Sequence, residues 1–217
     1  MAEYIVIGLG IFGRALAVEI QAMGNEVIGV DSDREVVQEM SGHIRQAIEA
    51  DATSEDTMRE LGIRDVDAAI VAVGSTEDSI MITLILKKLR VSYVISKAGN
   101  DLHGEILRLV GADRVLYPEK ETAIRLAHGI AVPEIVDYLS ITYEMGIAKL
   151  EVPRHLVGKT YGELQEDLRA DVRLIAIVRR DRVIYGASVA EKLLAGDVLL
   201  LAGKDKDLRD FGRSTEA

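Results

Sequence analysis

The sequence contains no cysteine and no tryptophan, and aromatic residues make up only 4% of its 217 residues. Without thiols the chain cannot form disulfides, a thiolate metal site or a cysteine nucleophile, and we expect a reducing compartment. A core poor in aromatics must be built from Val, Ile, Leu and Ala, which is typical of buried parallel strands and their covering helices. Hydrophobic residues reach 48%, so the composition favours an α/β protein with a sizeable core.

Positive charge is also scarce, because 26 Lys and Arg face 36 Asp and Glu, for a formal net charge of -10. A field of that sign repels phosphate backbones and anionic lipid headgroups, so no nucleic-acid partner is expected. No apolar run approaches the ~20 residues that a bilayer crossing needs, and the first residues lack a basic, apolar signal. We therefore expect a soluble cytoplasmic protein.

Short runs of Val and Ile alternate with segments of helical period, which is the pattern of repeated βαβ units. The predicted strands are Tyr4–Gly8, Glu26–Asp31, Gln46–Ala50, Ala68–Val73, Tyr93–Ser96 and Arg114–Tyr117. The predicted intervening helices are Phe12–Met23, Asp33–Met40, Ser54–Leu61, Thr76–Arg90 and Asp101–Val110. This order predicts a Rossmann-like, doubly wound parallel sheet of six strands.

The pattern changes after Tyr117. Pro118 suits the first position of a helix that runs to Ala131, since its missing N–H has no partner there in any case. The elements predicted beyond it are a strand at 147–152, a helix at 161–168, a hairpin at 173–186, a strand at 198–203 and a helix at 206–211. We therefore predict two domains, residues 1–133 and a small α+β unit over residues 134–217.

A glycine motif, Gly8-x-Gly10-x-x-Gly13, follows the first predicted strand and opens the first predicted helix. In this context Gly8 permits the tight turn, Gly10 lets backbone N–H groups approach a phosphate, and Gly13 allows close helix packing. Ile11 and Phe12 lie between these glycines and are included in the predicted phosphate site. The alternative is a strand-to-helix turn that binds nothing.

Polar residues follow the second and third predicted strands. Asp31 is at the position of the acid that accepts hydrogen bonds from ribose hydroxyls, with Ser32 beside it, and its carboxylate disfavours a 2′-phosphate. Alone, such an Asp is more often a helix cap or a turn former. Asp51 and Ala52 follow the third strand, where a base would lie, although Asp51 is equally well explained as a loop acid.

Four more candidates follow the remaining strands. Val73 and Gly74 end the fourth strand at the crevice where open α/β sheets bind ligands. Lys97 closes the fifth strand and could neutralise phosphate, while Glu119 follows the sixth and could bind a cation. Taken singly, Lys97 and Glu119 are better explained as solvated surface charges.

The order of several segments resembles one family of proteins. The segments are VIGLGIFG, VDSD, ADAT, IVAVG, GADRVLYPEK, LEVPRHLVGKTYGEL and GDVLLLAG, which together span nearly the whole chain. They resemble the cytoplasmic regulatory subunits of Trk/Ktr-type potassium uptake systems, the TrkA/KtrA proteins. These consist of an RCK (regulator of potassium conductance) N-domain and a TrkA-C domain.

The resemblance implies a nucleotide sensor and not a catalyst. Dimers of such subunits form an octameric ring on a membrane potassium-translocating subunit, at the inner face of the membrane. The implied ligand is ATP or ADP, with NAD or NADH as a further candidate. Glu119 matches an acid that helps bind a cation at the dimer interface. Some relatives also bind cyclic di-AMP between two C-domains, for which the sequence supports no residue assignment.

One position departs from the family pattern. Ktr-type members commonly read GLGRFG, in which the Arg contacts a terminal phosphate, whereas this chain has Ile11. Arg14 is the basic residue that directly follows Gly13, but it points from a different part of the helix turn than residue 11 does. Two alternative functions stay open from the residues, a small NAD-dependent oxidoreductase and a nucleotide sensor for another transporter.

Overall fold

A computed structural model describes residues 2–142, 144–169 and 171–213 of the chain. The contacts within the chain divide it into two units, one that ends at Glu119 and one that begins at Lys120. The domain boundary predicted after residue 133 stays a prediction. Within the described residues, none of the helices has the length and hydropathy needed to cross a bilayer.

The first unit is a parallel sheet with helices on both faces. Its strands are β1 (Glu3–Ile7), β2 (Glu26–Asp31), β3 (Gln46–Glu49), β4 (Ala68–Val71), β5 (Val94–Lys97) and β6 (Arg114–Leu116). The helices are α1 (Ile11–Ala22), α2 (Arg34–Met40), α3 (Glu55–Glu60), α4 (Thr76–Lys88) and α5 (Asp101–Leu109). The strand order is β3-β2-β1-β4-β5-β6, which confirms the predicted doubly wound, Rossmann-like sheet.

Alternate residues of the strands pack into separate cores on the two faces of this sheet. In β1, Ile5 and Ile7 pack with Met58 and Leu86 from the helices of one face. Val6 packs on the other face with Ala17 of α1 and Met40 of α2. Burial on both faces explains why the strands read as continuous apolar runs.

Side-chain caps fix where the helices of this unit begin. The side chains of Ser54, Ser75 and Asn100 each accept a hydrogen bond from an N–H of the first turn of α3, α4 and α5. Such caps satisfy N–H groups that have no partner within the helix. Helix α1 differs, because its N-cap is Gly10, which has no side chain to donate or accept.

The second unit contains an antiparallel sheet and most of helix α6 (Pro118–Ala131). Its strands are β7 (Ile135–Ser140), β8 (Met145–Glu151), β9 (Arg173–Arg179), β10 (Arg182–Tyr185) and β11 (Val198–Lys204), in the order β10-β9-β11-β8-β7. The helices α7 (Tyr161–Asp167) and α8 (Asp205–Arg213) complete it. This confirms the predicted α+β unit and its β9–β10 hairpin, which reverses at Arg180 with a φ of 52°.

A buried ion pair ties the strands of the second unit together. The Arg179 guanidinium donates to both carboxylate oxygens of Asp197, at 2.9 and 2.8 Å, and to Glu191 at 2.9 Å. Asp197 is only 1% exposed, and it also accepts the Leu194 N–H at 2.9 Å. These bonds hold the pKa of Asp197 below its ordinary value despite burial, which acts in the opposite direction. The pair fixes the loop before β11 against β9.

Candidate functional site

A cleft lies at the carboxyl ends of β1, β2, β3 and β4, where the strand order reverses. It encloses about 380 Å³ of unfilled space, part of it open to solvent. Open α/β sheets bind ligands at such a switch point. Six of the predicted site residues share its lining: Gly8, Asp31, Ser32, Asp51, Ala52 and Val73.

The glycines of the motif differ in what the fold itself requires. Gly8 has a φ of +92°, and a Cβ there would lie 2.7 Å from the Val73 nitrogen. A Cβ on Gly13 would collide with the Gly8 carbonyl oxygen. Gly10 is different, because a Cβ there would meet nothing within 4 Å. Packing thus accounts for Gly8 and Gly13, and Gly10 leaves an open approach to the start of α1.

The N-terminus of α1 has the character of an anion site. Its N-cap makes no side-chain hydrogen bond, and its first turn contains no acidic residue. Free backbone N–H groups and the helix dipole favour an anion at such a position. Ile11, at 93% exposed, and the half-buried Phe12 begin this helix. Because a Cβ on Gly10 would meet no atom within 4 Å, no side chain closes off the backbone at the start of this helix.

Asp31 holds the glycine loop as well as lining the cleft. Its Oδ2 accepts a hydrogen bond from the Leu9 N–H at 2.6 Å, and its Oδ1 accepts one from the Asp33 N–H at 2.9 Å. Asp31 therefore has the turn-forming role that the sequence left open as its alternative. Each carboxylate oxygen can accept more than one hydrogen bond, so the same side chain retains capacity for a ligand hydroxyl.

Asp51 is held in a turn at the end of β3. Its Oδ1 accepts from the Thr53 hydroxyl at 2.6 Å and from the Thr53 N–H at 2.9 Å. These two bonds hold the pKa of the Asp51 carboxyl below its ordinary value. Asp51 is therefore a fixed anion at neutral pH, with Thr53 beside it in the cleft lining.

Lys97 and Glu119 are not part of this lining and pair with each other instead. The Lys97 ammonium donates to a Glu119 carboxylate oxygen at 3.1 Å. The backbone N–H of Glu119 and then Lys97 hold the pKa of Glu119 below its ordinary value. Among the described residues there is no group of three or more His, Asp or Glu arranged to hold a metal ion. Gly74 directly follows Val73 but does not line the cleft.

Two lining residues that sequence reasoning missed come from helix α4. Asp78 and Ile82 reach the cleft because α4 begins at the end of β4 and packs over the sheet. A sequence signal for Asp78 was available, since Ser75 caps α4 by accepting the Asp78 N–H. That spacing identifies the helix start and therefore the edge of the sheet at which Asp78 lies.

The chain is similar in sequence to known domain families and to characterised potassium uptake proteins. Residues 4–118 match the TrkA-N domain model, and residues 147–215 match the TrkA-C domain model. The chain is 34% identical over 210 residues to Ktr system potassium uptake protein C of Bacillus subtilis, covering 96% of this chain and 95% of that protein. The chain belongs to the Trk/Ktr potassium uptake protein family. It is also 30% identical over 207 residues to Ktr system potassium uptake protein A of Vibrio alginolyticus, covering 95% of this chain and 94% of the relative.

Solved structures share the fold of this Trk/Ktr family member. The RCK domain of GsuK superposes with a TM-score of 0.69 at 18% identity, covering 100% of this chain and 48% of that one. The GsuK channel bound to NAD gives a TM-score of 0.67 at 18% identity, covering 99% of this chain and 39% of that one. The predicted RCK-type fold is therefore confirmed.

Proposed function

We propose that the chain is a cytoplasmic regulatory subunit that binds an adenine nucleotide and controls a membrane potassium-translocating partner. One observation carries the proposal: the N-terminus of α1, which has no side-chain cap and is open at Gly10, lies beside Asp31. The chain that contains this arrangement belongs to a family of potassium uptake proteins. In this proposal the chain senses the nucleotide and does not transform it, and it acts at the inner face of the membrane through its partner.

The proposed ligand follows the features of the cleft. Phosphates bind the backbone at Gly8, Gly10 and Gly13, next to Ile11 and Phe12, and the ribose binds Asp31 and Ser32. The base lies near Asp51, Ala52, Val73 and Gly74. The cleft thus suits adenine nucleotides as a class, with ATP and ADP as first candidates and NAD or NADH as further ones. The existence of NAD-bound and ADP-bound GsuK structures supports this class of ligand.

Self-association is the second part of the proposal. Helix α6 has no buried residue, and it exposes Ile124, Leu126 and Ile130 at 41%, 61% and 72%. Apolar side chains repeated along one helix are expected to be covered by another copy, first in a dimer and then in an octameric ring. A cation held by Glu119 would need oxygen ligands from that second copy, because one carboxylate does not fill the coordination of a divalent ion. Binding of cyclic di-AMP by the second unit stays a prediction.

Control requires that the nucleotide bind one arrangement of the ring more tightly than another. The coupling free energy is typically about 1–3 kcal/mol, which is a change of about 5- to 150-fold in an equilibrium constant. A ligand that bound both arrangements equally would have no effect on the partner.

Potassium flux through vesicles tests the proposal. A Ktr-type potassium-translocating subunit is placed in proteoliposomes, and rubidium uptake is measured with and without this chain, in the presence of ATP, ADP or NAD. We expect a nucleotide to change uptake only when the chain is present. The matched control is the Gly10→Ala chain, which should fold but fail to respond. Uptake that is identical with every nucleotide, with and without the chain, would contradict the proposal.

A further inference from the structure

A cluster of buried polar side chains lies between helices α4 and α5 and strand β5. It consists of Ser79 and Thr83 of α4, Ser96 of β5 and His103 of α5, and none of the four is more than 4% exposed. Among the described residues, Asp197 of the second unit is the one other polar residue that is buried. Burial of polar groups costs free energy unless each group is hydrogen-bonded, so the cluster depends on its internal bonds.

The two ring nitrogens of His103 make different hydrogen bonds. Nδ1 accepts the Gly99 N–H at 3.2 Å, so the proton of the neutral ring is on Nε2. Nε2 therefore donates to the Ser79 hydroxyl at 2.7 Å, and this hydroxyl donates in turn to the Thr76 carbonyl oxygen at 3.0 Å. Each bond in this series has a defined donor, and the series is complete only when the ring is neutral.

The hydroxyls of the cluster leave no carboxylate beside the ring. Thr83 donates to the Ser79 carbonyl oxygen at 2.7 Å, so it accepts the Ser96 hydroxyl at 2.8 Å. The titratable and charged residues on the adjoining elements are Glu77 and Asp78 on α4, Asp101, Glu105 and Arg108 on α5, Lys97 on β5, and Arg114 and Tyr117 at β6. Within the described part of the chain, none of them makes a hydrogen bond or an ion pair with the His103 ring.

A second proton on the His103 ring would disrupt this arrangement. The proton would occupy Nδ1, so that Nδ1–H and the Gly99 N–H would be two donors without an acceptor between them. The resulting charge would also be buried without an anion, which is the reason that burial lowers the pKa of His103. The ring can therefore take up the proton most readily when the Gly99 bond opens and water reaches it.

The Gly99 bond closes the loop between β5 and α5. Asn100 caps α5 by accepting the His103 N–H at 2.8 Å, so His103 is tied to this loop through both its backbone and its ring. The apolar core under this end of the sheet is small, with Ala98, Leu107 and Ala112 as its buried members. Segments with few buried apolar contacts open at a low cost in free energy. Loss of one bond therefore acts on a segment that is weakly held.

We propose that His103 is a proton-sensitive switch that holds the loop 98–100 and the first turn of α5 while it is neutral and releases them when it is protonated. The switch adjoins the candidate cleft, because Ser79 directly follows Asp78 of the cleft lining. The first unit therefore responds to acidification of its surroundings. This inference goes beyond the proposed function and does not rest on it, since it concerns a proton and not a nucleotide.

Hydrogen exchange of the whole chain, followed by mass spectrometry, tests the switch. Exchange rates at about pH 7.5 and about pH 5.5 are divided by the intrinsic rates at each pH, which gives the opening frequency of each segment. One proton taken up on opening, at an unfolded pKa of about 6.5, makes residues 98–104 open about tenfold more often at the lower pH. Helix α1 contains no histidine, and its opening frequency should change by less than about twofold.

Two variants separate His103 from other titrating groups. His103→Gln does not titrate and keeps an N–H for Ser79, so the pH dependence of residues 98–104 should be lost. His43→Gln is the matched control, because His43 is exposed and outside the cluster, and it should leave the tenfold change in place.

The wild-type chain alone can decide against the switch, even if His103→Gln fails to fold. Equal opening of residues 98–104 at the two pH values in the wild type would overturn the inference. The same pH dependence in His103→Gln as in the wild type would also overturn it. Neither result bears on nucleotide binding, so the proposed function is tested separately.

Discussion

Replacing Gly10 with Ala should separate ligand binding from folding. A Cβ at Gly10 would meet no atom within 4 Å, and the residue has a φ of -66° and a ψ of -170°, which alanine adopts without strain. Gly→Ala at a compatible position stabilises by about 0.4–1 kcal/mol through the unfolded chain, and the weaker capping by alanine costs roughly 0.5–1 kcal/mol in the opposite direction. The free energy of unfolding should therefore change by less than about 1 kcal/mol.

Binding should respond very differently to the same substitution. The new methyl group would lie in the space through which a phosphate reaches the backbone at the start of α1. Loss of about 3 kcal/mol from charge-assisted hydrogen bonds corresponds to a decrease of about 150-fold in nucleotide affinity. Urea denaturation measures the first quantity and calorimetric titration with ADP the second, on the same preparation.

Gly13→Ala is the matched comparison for Gly10→Ala. Its Cβ would collide with the Gly8 carbonyl oxygen, so α1 must shift away from the sheet, at a cost of about 1–3 kcal/mol or more. Gly13→Ala should therefore lower stability, and Gly10→Ala should lower affinity alone. If the Gly10→Ala chain binds ADP as tightly as the wild type, phosphates do not approach this backbone and the proposed phosphate site is wrong.

Three further substitutions have distinct signatures. Asp31→Ala leaves the buried Leu9 N–H without its acceptor, so we expect about 1–3 kcal/mol lower stability in urea and weaker binding of ATP, ADP, NAD and NADH alike; unchanged affinities would mean that the ribose lies elsewhere. Asp197→Ala removes one acceptor of Arg179 and the acceptor of the Leu194 N–H, whereas Arg179 keeps Glu191, so the stability of the second unit should fall by about 1–3 kcal/mol. Calorimetric melting would show this change, and an unshifted transition would argue against the pair. Burial lowers the pKa of His103, so the stability that its neutral form contributes is complete above the unfolded pKa of about 6.5 and is lost as the pH falls below that value. His103→Gln should therefore make the free energy of unfolding, measured in urea, less dependent on pH. An unchanged pH dependence would mean that other groups cause it.

Local patterns were sufficient to predict the first unit. Each strand of the parallel sheet is buried on both faces, so runs such as that at Ile5–Ile7 carry a strong signal. Helix starts were also predictable, because Ser54 and Ser75 are capping residues that directly precede segments of helical period. The doubly wound arrangement followed from the alternation of strands and helices along the chain.

Strand β7 was missed for a physical reason. Ile135–Ser140 does not alternate cleanly between buried and exposed residues, because the pairing with β8 shifts register between Ile135 and Asp137. Such an irregularity breaks the two-residue period on which strand prediction depends. The strand follows Pro133 so closely that its apolar residues resemble the end of a connecting segment.

The candidate site was predictable only in part. Gly8, Asp31 and Asp51 follow strand ends, so topology alone brings them to one edge of the sheet. Asp78 reaches the same cleft through the packing of a helix, and no local spacing relates it to Asp31. Lys97 and Glu119 follow strands farther along the sheet, and their mutual ion pair is a tertiary feature that the sequence did not reveal.

The claim that an adenine nucleotide occupies this cleft can be tested most directly by native mass spectrometry. The purified chain and its Gly10→Ala variant are each incubated with ADP, and the masses of the intact species are compared. We expect one ADP per chain on the wild type and its loss in the variant. A wild-type chain that carries no nucleotide, or equal occupancy of both proteins, would contradict it.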